Sequence, residues 1–185
     1  MQSAVPDRPK VMAEVNGRPF LEYVVRSLVE HGITDLIFCI GHLGKMVQDH
    51  FSDGRALGAT VRYSVETDLL GTAGAVRQAS PMIDGAFWVI NGDSYVELDY
   101  AAMAGFHARR HRDNPKSLGT IAARQVEDAS RFGRLKLAEA GRIDAFIEKS
   151  ELGPGLINAG VYLLEPAVLE MIPPARAVSI EKETF

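Results

Sequence analysis

Asn91-Gly92-Asp93 follows directly on the apolar run Ala86-Phe87-Trp88-Val89-Ile90. A buried parallel strand that ends in Gly then Asp delivers one carboxylate, unhindered by a bulky neighbour, to the carboxyl edge of a sheet, where open α/β folds bind ligands. A magnesium ion riding on a nucleotide is held by such a carboxylate. Asn-Gly-Asp is also good turn chemistry, so the tripeptide needs company before it means more than the end of a strand.

Company comes from three further places. Leu70-Gly71-Thr72-Ala73-Gly74-Ala75 puts two glycines at a strand-to-helix junction. Free backbone N–H groups at a helix start, with no Cβ to keep a planar ligand away, suit a base, a ribose or a phosphate. A tight turn capped by Thr72 is the plainer alternative. Glu148-Lys149 closes a later strand, where such a pair is commonly a surface ion pair, and Asn158-Ala159-Gly160-Val161-Tyr162 lies within another. His107 and His111 share a helix face at i, i+4 spacing but lack the third ligand or adjacent Glu of a zinc site.

The elements that must carry these residues are legible in the hydrophobic period. Phe20, Leu21, Val24, Val25, Leu28 and Val29 repeat at helical spacing between Pro19 and Gly32, which predicts an amphipathic helix. An apolar strand follows over 36–40, then a helix through Leu43, Met46, Val47 and Phe51, then a strand over 60–65. A third helix starts near Gly71, a strand spans 86–91, and a fourth helix covers 100–112. Strand alternating with helix at this pitch predicts βαβ units and a parallel, doubly wound sheet, with strands 36–40 and 86–91 parallel in it. Beyond Pro115 the long crossover helices stop. Segments 118–125, 134–138, 142–149 and 157–164 read as strands with only a brief helix near 167–171, so mixed or antiparallel strands are expected there.

Composition bounds what the chain does. Its 185 residues are 46% hydrophobic with a net charge of −4, enough for one buried core and one domain over 1–185. The acidic balance argues against general nucleic-acid binding, and the local cluster Arg109, Arg110, Arg112 and Lys116 reads as a solvated helix face. No apolar run approaches the ~20 residues of a membrane span, so the cytoplasm is the expected compartment. Cys39, the only cysteine, lies in an apolar strand and is expected to be a buried, inert thiol.

Taken in order and spacing, the chain resembles the sugar-phosphate nucleotidyltransferases, the nucleotide-sugar pyrophosphorylases. The residues that carry the resemblance are Asp7-Arg8-Pro9-Lys10, Gly17-Arg18-Pro19-Phe20-Leu21-Glu22-Tyr23, Gly71-Thr72-Ala73-Gly74-Ala75, Asn91-Gly92-Asp93, Glu148-Lys149, Asn158-Ala159-Gly160-Val161-Tyr162 and Ser179-Ile180-Glu181-Lys182. Arg18 to Tyr23, Ile40-Gly41-His42 and Ser179 to Lys182 are most similar to the heptose- or mannose-1-phosphate guanylyltransferase type. The resemblance implies a Rossmann-like three-layer α/β/α fold. It implies an enzyme that joins an NTP, GTP favoured, to a sugar 1-phosphate, releasing pyrophosphate and making a nucleotide sugar for surface polysaccharide. It implies Mg2+ on Asp93, Lys10 neutralising the triphosphate, and Lys149 gripping the sugar phosphate. By the same resemblance Glu148 accepts a sugar hydroxyl, Gly71 and Gly74 form the base and ribose platform with Thr72 among the substrate-binding residues, Asn158 lies beside the sugar with the metal as a further option, and Glu181 faces the sugar site. The partners implied are the two substrates, with neither nucleic acid nor membrane, and with homo-oligomerisation left open.

One departure accompanies the match. The family opens with an apolar strand and a Gly-Gly-x-Gly-Thr-Arg-Leu loop that wraps the triphosphate, and only eight residues precede Pro9 here. Relatives also continue beyond the position of Phe185. The expectation is a chain truncated at both ends, inactive as it stands, and lacking the first central strand. Strands 36–40 and 86–91 would then flank an open slot about two strand spacings wide, ~9.6 Å. A different class of function, a non-catalytic nucleotide-sugar sensor or regulatory subunit, is compatible with the same departure.

Overall fold

A computed structural model describes residues 7–130, 132–147 and 153–184. Strand β1 (Glu14–Val15) and strand β2 (Arg18–Pro19) form an antiparallel hairpin. Its two-residue turn places Asn16 and Gly17 at φ 49° and 76°, as an Asn-Gly turn between twisted strands requires. Helix α1 (Phe20–Glu30) then buries Leu21, Val24, Val25 and Leu28 on one stripe. It stops at Gly32, φ 78°, where Gly32 N donates to Val29 O and Ile33 N to Leu28 O, both 2.9 Å. These two bonds satisfy the last carbonyls of the helix, and only glycine takes that backbone conformation freely.

Strand β3 (Asp35–Ile40), helix α2 (Gly44–Phe51) and strand β4 (Thr60–Val65) make a parallel βαβ unit, in register from Asp35 opposite Thr60 to Ile40 opposite Val65. Helix α3 (Gly71–Ala79) leads to strand β5 (Phe87–Ile90), and helix α4 (Tyr100–Asp113) starts where Asp99 Oδ1 accepts from Ala102 N at 2.8 Å. Strands β6 (Gly119–Val126), β7 (Arg134–Leu137), β8 (Ile143–Ile147) and β9 (Gly155–Leu164) follow, then helix α5 (Ala167–Met171) and a π-helical turn over Ile180–Thr184. Strand β9 is the axis of the second sheet. It pairs antiparallel with β5, β6 and β7, and β7 pairs with β8.

Layering follows from the two-residue period of β9 and β5. Val161 and Leu163, with Trp88 and Ile90, face a core built with α1, α2 and α4 from Val24, Val25, Leu28, Val47, Phe51 and Met103. Tyr162 and Leu164, with Phe87 and Val89, face the opposite core with Ala73 of α3, Val168 of α5, and Val178 and Ile180. Helices therefore cover both faces of the strands, the α/β/α arrangement that the family resemblance implies.

Three expectations are corrected. Strand β5 is not a buried parallel strand: it is half-buried throughout and runs antiparallel to β9. Strands β3 and β5 do not share one sheet, because the hydrogen-bonded ladder is divided into β3–β4 and the β5–β9 assembly. That division is what the expected slot requires, since the two strands are not directly bonded. The apolar composition of 87–90 marked a strand but fixed neither its depth nor its partner, and β9 takes one edge by tertiary contact. Cys39 is exposed, because β3 turns it from the α1–α2 core toward α3, which covers it only in part. Its Sγ lies 3.6 Å from Ala75 O. Desolvation, with the charge of Glu66, pushes the thiol up to about 11, so it remains protonated and inert near neutrality.

Candidate active site

The carboxylate at the end of β5 is met by a cation. Lys10 Nζ donates to Asp93 Oδ2 at 2.5 Å across 83 positions of sequence. Packing of glycine against two neighbours makes this meeting possible. A Cβ on Gly92 would stand 3.3 Å from Leu21 Cδ1 of α1 and 3.4 Å from Val11 Cγ1, so the Asn-Gly-Asp turn sits directly on the Lys10–Met12 turn that carries the lysine. The two side chains are 62% and 39% exposed. An ion pair so exposed adds little stability, and both partners remain reachable by a ligand.

The donor set at this point fits magnesium. The described residues contain no group of three or more His, Cys, Asp or Glu able to enclose a metal, and Mg2+ characteristically takes one or two carboxylates, with water and substrate phosphates completing its shell. The Lys10 ammonium stands in for that cation on Asp93.

Asn91 joins the Asp93 end of the site to the strand that borders it. Asn91 N donates to Gly160 O at 2.9 Å, and a Cβ on Gly160 would fall 2.8 Å from Asn91 Nδ2. Gly160 has φ 77°, and the β6–β9 register shifts beside it, between Ile121 and Ala123. In a straight strand residues four apart are separated by about 13 Å. Here Asn158 Nδ2 reaches Tyr162 Oη at 2.6 Å, because the chain kinks at Gly160. Asn158 Nδ2 also donates to Glu181 Oε1 at 2.5 Å, and Tyr162 Oη donates to the same oxygen at 3.1 Å. Burial and the Glu181 charge push the Tyr162 phenol well above its ordinary value, against the opposing effect of the Asn158 bond, so Tyr162 keeps the proton it donates.

The start of α3 is occupied by the chain itself. Val178 N donates to Leu70 O at 2.9 Å, Ala73 N to Val178 O at 3.0 Å, and Ile180 N to Thr72 Oγ1 at 2.9 Å. A Cβ on Gly71 would stand 2.7 Å from Val178 O, and one on Gly74 would stand 2.6 Å from Arg176 O. Glycine is needed at both positions so that segment 176–180 can lie against the helix start. The sequence reading of open space for a planar ligand is corrected to that extent, since the Cβ sides are filled and the Ala73 amide is engaged.

An open groove of about 1370 Å3 begins at Asn91, Asn158, Gly160 and Glu181 and runs along the sheet to the β7–β8 hairpin. Arg110 and Lys116, read from sequence as a solvated face, belong to its wall, as do Phe132 and Phe146. Lys10, Asp93, Gly71, Thr72 and Gly74 lie outside that lining and join it through the contacts above. Glu148 and Lys149 lie outside the described residues. His107 is buried and engaged, with Nδ1 2.9 Å from Thr120 Oγ1 and Nε2 3.0 Å from Glu165 Oε1, while His111 Nδ1 meets Ser117 O at 2.9 Å. Sequence reading gave no role to Asn91 or Tyr162. The available signal was Asn158-x-Gly160-x-Tyr162, two polar residues of one strand face separated by the residue that bends most easily.

Comparison with known proteins identifies the family. A family model described as "Nucleotidyl transferase" matches residues 6–184. The chain is 30% identical over 164 residues to D-glycero-alpha-D-manno-heptose 1-phosphate guanylyltransferase of Campylobacter jejuni, covering 89% of this chain and 70% of that protein. It is 33% identical over 184 residues to mannose-1-phosphate guanyltransferase of Saccharomyces cerevisiae, covering 96% of this chain and 49% of the other. The chain thus spans about half the length of the curated mannose-1-phosphate relatives it matches. The crystal structure of HddC from Yersinia pseudotuberculosis complexed with GMP-PN superposes with a TM-score of 0.84 at 29% identity, covering 99% of this chain and 78% of that one. With its α/β/α layers, its cation-paired aspartate and its matching relatives, the chain belongs to the nucleotidyl transferase family.

Proposed function

We propose that residues 1–185 form the catalytic domain of an enzyme that joins GTP to a sugar 1-phosphate of the mannose or heptose kind, giving a GDP-sugar and pyrophosphate. The observation that carries this reading is the Lys10–Asp93 pair, an exposed ammonium and carboxylate 2.5 Å apart at the end of β5. That pair has the charges needed to receive an anionic triphosphate together with its cation. Relatives named as guanylyltransferases for heptose and mannose 1-phosphates support the choice of substrates. The cytoplasm is the compartment proposed. No helix of the described residues is long and apolar enough to cross a membrane.

In the proposed reaction an oxygen of the sugar phosphate attacks the α-phosphorus in line. The bond from that phosphorus to the bridging oxygen breaks, and pyrophosphate leaves with the electron pair. No covalent enzyme intermediate is required, so the chain acts by positioning and by neutralising charge. Lys10 leaves Asp93 and binds the triphosphate oxygens. Asp93 is the residue that would hold Mg2+, and the ion would supply Lewis-acid neutralisation of phosphate charge. Gly71, Thr72 and Gly74 border the base and ribose. Asn158 and Glu181 offer a hydrogen-bonding edge to the sugar hydroxyls, Glu148 accepts from another, and Lys149 binds the sugar phosphate.

A panel of GTP, UTP, dTTP and CTP against mannose, glucose and heptose 1-phosphates, read by pyrophosphate release, tests the proposal. GTP with a mannose- or heptose-type substrate is expected to lead. Turnover with another base corrects the nucleotide, and binding of a nucleotide sugar without any turnover by a protein that carries the family's glycine-rich loop favours a non-catalytic sensor.

A further inference from the structure

Segment 176–184 touches the site at two separate places. Its backbone is fastened to the start of α3 by Val178 N on Leu70 O, Ala73 N on Val178 O and Ile180 N on Thr72 Oγ1, all between 2.9 and 3.0 Å. Val178 and Ile180, each 2% exposed, are sunk in the core beside Ala73. One residue further on, Glu181 Oε1 receives Asn158 Nδ2 and Tyr162 Oη from β9. Two donors on a single oxygen fix the plane of the carboxylate and hence the direction of Oε2. Glu181 itself is only half-buried and borders the groove.

We propose that Thr72 and Tyr162 are positioning residues for Glu181. Thr72 holds the backbone of the segment through the Ile180 amide, and Tyr162 orients the carboxylate from the other side. The inference rests on the proposed sugar-phosphate role of the groove. Its consequence is that the α3 start, assigned to the nucleotide, and Glu181, assigned to the sugar, form one mechanical unit: what orders the first orders the second. The chemistry of each link supports this. The Thr72 hydroxyl satisfies an amide that would otherwise be buried without a partner, and the buried Tyr162 phenol spends its one proton on a carboxylate.

Two measurements test the proposal. Hydrogen exchange of the ligand-free protein compares Thr72→Val, which keeps the shape and loses the hydroxyl, with Thr72→Ser, which keeps it. Exchange over 179–184 is expected to rise at least ten-fold in the valine variant and to return to within two-fold of wild type in the serine variant, with β4 amides unchanged in both. Unchanged exchange over 179–184 in Thr72→Val overturns the clamp. Calorimetric titration of Tyr162→Phe is expected to weaken mannose 1-phosphate about ten-fold while GTP affinity stays within two-fold. An equal loss for both ligands, or no loss for either, overturns the positioning role. Wild-type protein that binds no mannose 1-phosphate defeats the functional reading, and the exchange measurement then decides the clamp by itself.

Discussion

Lys10 and Asp93 neutralise each other as an exposed ion pair, which in the proposed function a ligand separates. Removing the lysine leaves the aspartate without its resident cation, so a small dication has less competition for the carboxylate. Lys10→Ala is expected to bind Mn2+, a magnesium surrogate for oxygen ligands, about two- to five-fold more tightly in the absence of nucleotide, in keeping with the ~0–1 kcal/mol of an exposed pair. Asp93→Asn is expected to lose that binding, because a neutral amide is a poor ligand for a hard dication. Electron paramagnetic resonance of free Mn2+ reads both. Weaker Mn2+ binding by Lys10→Ala would mean that the lysine supports the metal rather than replacing it.

Among the elements, β9 does the most positioning, and it does so by being bent. Gly160 holds φ 77° with its Cβ side against Asn91. Alanine there meets both a strained backbone and a contact 2.8 Å from Asn91 Nδ2. Gly160→Ala is expected to destabilise the protein by about 1–3 kcal/mol, seen as a lowered midpoint of urea unfolding. It should also part Asn158 from Tyr162, with weaker binding of sugar 1-phosphate as the second symptom. Stability equal to wild type would show that the kink can straighten without harm. Asn16-Gly17 between β1 and β2 is the contrasting case, where two residues in sequence suffice to announce a hairpin.

At the scale of the whole molecule, two ladders share a core without sharing hydrogen bonds. Asn91 N donates to Gly160 O, and in an antiparallel pair bonded residues alternate, so the Val89 amide also faces β9 while those of Trp88 and Ile90 turn the other way. No described strand bonds to that second edge of β5. Trp88 and Ile90 are therefore expected to exchange their amide protons about 100-fold faster than Val89, since an unpaired edge lacks the protection of a paired one. Uniform protection along β5 would show that another strand pairs there in solution.

Much of this organisation was already determined by sequence. Hydrophobic period located α1 to α4 and β3 to β9 within a few residues, because burial of one face is a local rule repeated along each element. The motifs that carry the family resemblance supplied Lys10, Asp93, Asn158 and Glu181 as candidates, since such chemistry depends on residue type. Partner choice was not local. That β5 runs beside β9, that the ladder divides after β3, and that Cys39 faces an incompletely covered side depend on which strands meet in space. The glycines of Gly71-Thr72-Ala73-Gly74-Ala75 show the same limit. Sequence marked a place where backbone comes close to something, and only the tertiary structure decided that this something includes the chain's own segment 176–180, because close approach is a relation between two surfaces and one residue records only its own side.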